Sequence, residues 1–414
     1  MKGLYKMKRS VIAILLILAV SSFAGGFDVK KYGAVGNGLA DDTKAVQKAF
    51  DAAAKALRSF NSYGKYPRSS YFGSGPTVVF PHGVYKITST IKVSGFVNFS
   101  GSNTAAVIKW AGEDNGVMFQ VNAFRNTVEK LVFLGGGVQL GIANRNLDKT
   151  MVTIRDCQFH YASEMAVKLE PPKGISHLSC QTLIEGCLFT KNHRCVQNYG
   201  DLMEIRNCWV DQVQPYMADG AAFINKYGTM RIAFCCLTPS ANPPKGPDYY
   251  HNARWVDNHN RFEAENVRFG GEGGGIPAVY NFAKAGSRHP HSDGGRVMLR
   301  NCLAACGQVR RENGALVRLF AIPVQLTIQD CYGIGGIPLI VCDPTLDIQA
   351  EMKKNPRGLG NARFRSANNV LHSRGVNIVP EELKPFFRDG ASDCSFAKTK
   401  ARPVPEKITE RTNK

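Results

Sequence analysis

The chain has 414 residues, 44 % of them hydrophobic, and 52 basic against 33 acidic side chains give a formal net charge of +19. That apolar content excludes a disordered polyelectrolyte. No stretch after the first 24 residues approaches the roughly 20 apolar residues a spanning helix needs, which excludes a membrane-embedded bundle. The basic excess suits a polyanionic partner, whether acidic polysaccharide, nucleic acid or envelope surface.

The first 24 residues read as an export signal. Lys2, Lys6, Lys8 and Arg9 precede an apolar run from Val11 to Val20, and Ser22-Phe23-Ala24 offers a small-x-small site for cleavage after Ala24. Removing this segment, which carries four basic residues and no acidic one, leaves 390 residues and lowers the formal charge to +15. The expected destination is the periplasm or the medium, which favours a polysaccharide over nucleic acid as partner.

Residues 25–95 read as a cap. Gly33, Gly36 and Gly38 permit tight turns, Asp41 to Thr43 supply a helix N-cap, and Val46, Ala49, Phe50, Ala53 and Leu57 form one apolar helical face. The run Asp28-Val29-Lys30-Lys31-Tyr32-Gly33-Ala34-Val35-Gly36-Asn37-Gly38, then Asp41-Asp42-Thr43, then Val78-Val79-Phe80-Pro81-His82-Gly83-Val84-Tyr85, resembles the opening of pectate-lyase-like domains of the rhamnogalacturonase and epimerase type. The resemblance implies a right-handed parallel β-helix whose open end the helix covers, and cleavage of glycosidic bonds in a polysaccharide held along a groove. Asp41, Asp42 and Tyr85 are expected to be structural. The polygalacturonase-type hydrolases of this superfamily carry Asn-Thr-Asp, Asp-Asp, Gly-His-Gly and Arg-Ile-Lys motifs. Here the first, third and fourth are absent, and the one Asp-Asp pair, Asp41-Asp42, belongs to the cap.

From residue 128 onward a pattern whose fullest form is Ile-x-x-Cys-x-Phe recurs eight times. It occurs at Val128-Leu131-Phe133, Ile154-Cys157-Phe159, Ile184-Cys187-Phe189, Ile205-Cys208-Val210, Ile232-Cys235-Leu237, Ala264-Val267-Phe269, Leu299-Cys302-Ala304 and Ile328-Cys331-Gly333. The irregular spacing of 21 to 35 residues suits coils with loops of different length. Asp156, Asn207, Asn266, Asn301 and Asp330, just before the cysteine position, tolerate a left-handed bend between two short strands. A second column, Asn198, Asn225, Asn258 and Asn281, marks the end of a third strand. The expectation over 25–355 is therefore an all-β solenoid with three short strands per coil and Cys157, Cys187, Cys208, Cys235, Cys302 and Cys331 stacked inside as thiols. Disulfides involving Cys180, Cys195 or Cys236 are the alternative.

Residues beside the asparagine column are expected to face outward: Gln197 and Tyr199, Ile224 and Lys226, Asp257 and His259, Tyr280 and Phe282. With Arg261 nearby, Gln197, Tyr199, Tyr280 and Phe282 are candidate sugar contacts, since aromatic rings stack on sugar faces. Two chemistries remain open. Hydrolysis needs two carboxylates, Asp257 and Glu272, the latter in the run Gly270-Gly271-Glu272-Gly273-Gly274-Gly275. β-Elimination from a uronic acid needs a base such as Lys226, His259 or an arginine, with Arg254 or a cation neutralising the substrate carboxylate. No metal centre is expected from spacing, and calcium held by carboxylates from different coils stays open. A non-catalytic glycan-binding or adhesive protein is the rival to an enzyme, and a monomer is expected over a trimeric fibre. Residues 356–414 read as a far-end cap, around Val379 to Phe387, and a basic, partly disordered tail.

Overall fold

The computed structural model describes residues 26–61, 75–102, 106–122, 124–143, 150–175, 177–212, 220–239, 254–270, 278–283, 295–305, 315–334, 339–354, 363–367, 369–371, 383 and 394–396. The expected signal segment, Glu272 and most of the tail lie outside them. Strands of three to eight residues predominate, and they form three all-parallel sheets of 12, 13 and 10 strands. Successive strands of one coil enter sheets I, II and III in turn, which is a right-handed parallel β-helix.

The repeated pattern sets the register. Val128, Ile154, Ile184, Ile205, Ile232, Ala264, Leu299 and Ile328 lie directly beside one another in sheet I. Phe133, Phe159, Phe189, Val210, Leu237, Phe269, Ala304 and Gly333 do the same in sheet II. Both columns point inward, and Phe133, Phe159 and Phe189 stack with centroids 5.0 Å apart. Burying each such ring stabilises the fold by roughly 1.5–3 kcal/mol. Between the columns one residue per coil turns the chain with positive φ: Lys130, Asp156, Gly186, Asn207, Phe234, Asn266, Asn301 and Asp330, all between 48° and 62°. The expected Asp and Asn bends are there, and Lys130, Gly186 and Phe234 fill the same place.

The six repeat cysteines are buried free thiols in one column. Cys157, Cys187, Cys208, Cys235 and Cys302 each direct Sγ to a carbonyl of the preceding coil, 3.6–3.9 Å away. Cys180, Cys195 and Cys236 are also free.

At the N-terminal end, helix α1 (Thr43–Asn61) lies across the opening. Val46, Ala49, Phe50 and Ala53 are buried, with Phe50 edge-on to Phe99 and Phe119 at 5.4 and 6.0 Å. Asp41 caps the helix by accepting from the Thr43 backbone N–H at 3.0 Å. Asp42 accepts from the N–H groups of Val35 and Gly36 at 2.6 and 3.1 Å, fixing the glycine-rich turn. Tyr85 is buried and donates to the Pro81 carbonyl at 2.8 Å. At the far end, strands Arg363–Ala367, Asn369–Leu371 and Cys394–Phe396 continue sheets I and II. Leu383, within the segment expected to cap that end, is buried. Among the described residues no helix is long and apolar enough to cross a membrane.

Candidate functional site

Sheet III ends at the asparagine column. Asn198, Asn225 and Asn258 are fully buried and donate Nδ2 to the next residue's Oδ1 at 3.0, 3.0 and 2.9 Å, and Asn281 ends the ladder on the Ala321 carbonyl at 2.9 Å. Each amide also binds backbone carbonyls, so the ladder fixes where the chain leaves sheet III. Lys226, His259, Phe282 and Phe320 follow at that corner, and each donates its backbone N–H to the asparagine carbonyl one coil back, at 2.8–2.9 Å. Their side chains therefore form a second column. The His259 ring stacks on Phe282 at 5.0 Å, and Phe282 stacks on Phe320 at 4.6 Å. Lys226 Nζ lies 3.1 Å from His259 Nε2.

The outward row of sheet III itself runs Lys168, Gln197, Ile224, Asp257, Tyr280 and Arg318. Arg254 grips Asp257 through two hydrogen bonds of 2.6 and 2.7 Å, and Arg318 binds Asp343 at 2.8 and 3.0 Å. Both guanidinium groups also lie against Tyr280, 5.2 and 5.6 Å from its centroid, and Arg318 lies 5.6 Å from Phe320. The result is an aromatic strip bracketed by three cations, a combination suited to sugar faces carrying carboxylates.

Two titrations are set by this packing. Desolvation, then the neighbouring Lys226 charge, pushes His259 down to about 4, and Asp257 only partly offsets them. The imidazole is therefore neutral near pH 7, and Lys226 donates to Nε2. Burial opposes ionisation of Asp343, but hydrogen bonds from Thr345 and the Arg318 charge outweigh it and hold the carboxyl below its ordinary value.

The structure brings together Lys226, Arg254, Asp257, His259, Tyr280 and Phe282. It corrects the expected exposure of the row: Ile224, Asp257 and Tyr280 are only 7, 8 and 8 % exposed. Strand alternation points them outward, but Ile224 packs into a small apolar cluster with Val138, Met165 and Ala221, and the two arginines cover Tyr280. Gln197 donates to the Leu169 carbonyl at 3.3 Å, and Tyr199 packs half-buried against the core. Both lie on the same columns, closer to the N-terminal end. Arg261 stands round the corner as the first residue of a sheet I strand, its carbonyl accepting from Asn225 Nδ2 at 2.6 Å. The proposed partner of Asp257, Glu272, lies outside the described residues. Arg318, Phe320 and Asp343 escape the sequence reading because Leu319 replaces asparagine in that coil. The register Val279-Tyr280-Asn281-Phe282 against Val317-Arg318-Leu319-Phe320 is the signal that finds the first two. Among the described residues no group of three or more His, Cys, Asp or Glu side chains is arranged to hold a metal ion.

The family described as rhamnogalacturonase A/epimerase, pectate lyase-like, matches residues 26–231, spanning the cap and the first coils of the ladder. This chain belongs to the pectate lyase-like superfamily. No curated protein is similar enough to count as a relative. Solved structures sharing the superfamily's β-helix include ORF18 of Geobacillus virus E2, at 15 % identity and TM-score 0.53 over 88 % of this chain. The tailspike gp49 of Acinetobacter baumannii bacteriophage Fri1, a capsular polysaccharide depolymerase, aligns at 14 % and 0.52 over 85 %. The tailspike of E. coli bacteriophage HK620 aligns at 11 % and 0.56 over 89 %. Each alignment covers 64 % of the other chain, so the likeness is one of fold.

Proposed function

We propose that this pectate-lyase-like protein is exported and acts on an acidic polysaccharide, cleaving it by β-elimination at the corner of sheet III. The observation that carries the reading is the 3.1 Å Lys226–His259 contact beside an aromatic strip bracketed by Arg254 and Arg318. A uronate carboxylate that competes with Asp257 and Asp343 for the guanidinium groups has its negative charge neutralised, which acidifies the adjacent C5–H. His259, neutral at working pH, takes that proton on Nε2 once Lys226 Nζ has turned from it towards the leaving oxygen, as the C4–O bond breaks and the C4=C5 bond forms. Lys226 supplies the proton that the leaving oxygen needs. Hydrolysis fits the described geometry less well, because both oxygens of Asp257 are already engaged by Arg254. The depolymerase activity of the similarly folded gp49 tailspike is in keeping with a polysaccharide substrate.

A second reading is non-catalytic glycan binding. It is favoured by the pairing of Asp257 and Asp343 with arginines, which engages both of these carboxylates in a preformed binding face. Incubation with polygalacturonate, alginate and neutral glucans separates the readings. Ultraviolet absorbance of an unsaturated uronic product is expected on a polyuronate and is lost in Lys226→Met and His259→Ala. Reducing ends without that absorbance would overturn elimination in favour of hydrolysis. Retention of the polymer with neither signal would establish the binding reading instead.

A further inference from the structure

We infer that sheet II carries a second glycan-binding strip, separate from the corner of sheet III and built on Trp209, Phe234, Arg268 and Tyr332. It goes beyond the proposed cleavage and does not depend on it. Trp209, Cys236, Arg268, Leu303 and Tyr332 are successive neighbours in the outward row of sheet II. Four coil steps of about 4.8 Å make this row roughly 19 Å long, enough for several sugar rings laid parallel to the helix axis. Trp209 and Tyr332, near its two ends, are 57 and 38 % exposed. The indole is also oriented: Nε1 donates to Thr238 Oγ1 at 3.3 Å, and that hydroxyl donates to the Val210 carbonyl at 3.1 Å. A fixed indole lying on a sheet presents its face, the arrangement that stacks against a sugar's C–H surface.

Phe234 supplies an independent observation. It occupies the left-handed bend two residues before Cys236, with φ 54°, and is 59 % exposed. The bends on either side, Asn207 and Asn266, use the residue type best suited to that conformation. A phenylalanine there strains the backbone and buries little, so neither local propensity nor core packing accounts for it, and backbone strain of this kind gathers at binding surfaces. Of the possible occupants, charge favours a polyanionic glycan. Arg268 is exposed at the centre of the row and makes no ion pair among the described residues. Arg206, just before the Asn207 bend, shares its charge with Glu185 at 2.8 Å, and Asp211 is the half-buried carboxylate beside Trp209. A second copy of so basic a chain would meet repulsion instead.

The test is native electrophoresis of the full chain through gels containing polygalacturonate or alginate, with thermal unfolding of each variant. Trp209→Ala is expected to weaken retardation at least about fivefold, the loss of roughly 1 kcal/mol of stacking. Phe234→Asn is expected to weaken retardation and to raise the unfolding midpoint, because asparagine relieves the bend. A role in folding alone predicts the opposite: a lower midpoint and unchanged retardation. That result overturns the inference, as does a wild-type protein that neither glycan retards. A change of sedimentation in Trp209→Ala would identify a self-association face instead and equally overturn it. Lys226→Met tests the other site separately: loss of cleavage with retardation intact leaves the sheet II strip standing alone.

Discussion

Replacement of Asn258 tests whether the buried amide ladder has a direction. Its Nδ2 faces Asn281 Oδ1 at 2.9 Å and the carbonyls of Asn260 and Arg296 at 3.1 and 3.3 Å, while its Oδ1 accepts from Asn225 Nδ2 and the Asn260 N–H at 3.0 and 3.2 Å. Asn258→Ala removes these bonds and leaves Asn281 Oδ1 and the Asn260 N–H without a partner at that position. At 1–3 kcal/mol for each of the two buried orphans, the expected cost is about 2–6 kcal/mol. Asn258→Asp keeps the shape but turns acceptor against three acceptors. Flipping the Asn281 amide gives no escape, because its Nδ2 holds the Ala283 and Ala321 carbonyls at 3.1 and 2.9 Å. The aspartate is therefore expected to destabilise more than alanine at pH 7, despite its isosteric shape. Its folded-state pKa must lie above the unfolded value of about 3.9, so the deficit shrinks as pH falls through the folded value and the carboxyl regains one donor. Urea unfolding followed by circular dichroism at pH 7 and pH 4.5 measures this. Solenoid coils can unfold in sections, so midpoints are the quantity to compare. An aspartate variant as stable as the alanine variant at pH 7, or one insensitive to pH, would refute the directional ladder.

Two further outcomes are expected. Lys226→Met removes the second-largest influence on His259 and should move its titration up from about 4 towards the ordinary value of 6.5, as read by NMR of the imidazole. Between those values the unfolded chain binds more protons than the folded one, so His259 weakens the fold as pH falls through that window, less so in the variant. Solvent at the exposed ring screens the effect. Burial raises the Cys187 thiol, and the neighbouring Cys187 and Cys208 thiols together with burial raise those of Cys208 and Cys235. These thiols should resist alkylation in the native protein and react on unfolding, as mass spectrometry resolves residue by residue. Rapid native labelling of Cys208 would contradict the stacked interior.

The coil register was legible because Ile154, Cys157 and Phe159 obey a spacing that seven other copies share, and a buried column tolerates little else. The bends at Lys130 and Phe234 were harder to read, since composition points to Asp and Asn while the fold demands only the conformation. Alternation correctly gave the direction of Asp257 and Tyr280 but not their burial, which depends on Arg254, three residues before Asp257, and on Arg318, one coil beyond Tyr280. Arg318 and Phe320 were hidden for a similar reason: their coil lacks the asparagine that marks the column. Asp343 joins through a pairing that no short pattern announces.

The turn from sheet I to sheet II is two residues long in all eight repeats, from Lys130-Leu131 to Asp330-Cys331, whereas connections beside sheet III range from Tyr199 alone to residues 240–253. Length changes are thus tolerated unequally. Removing one residue from a two-residue turn would invert every side chain of the following strand, exporting Phe159 or Phe189 to solvent. Adding several to 240–253 leaves the frame untouched. The fold therefore separates inheritance into a part that cannot drift and a part that can, and the drifting part borders the face where Lys226, His259 and Tyr280 meet. Related chains should differ most in what they recognise while remaining superimposable in how they are wound.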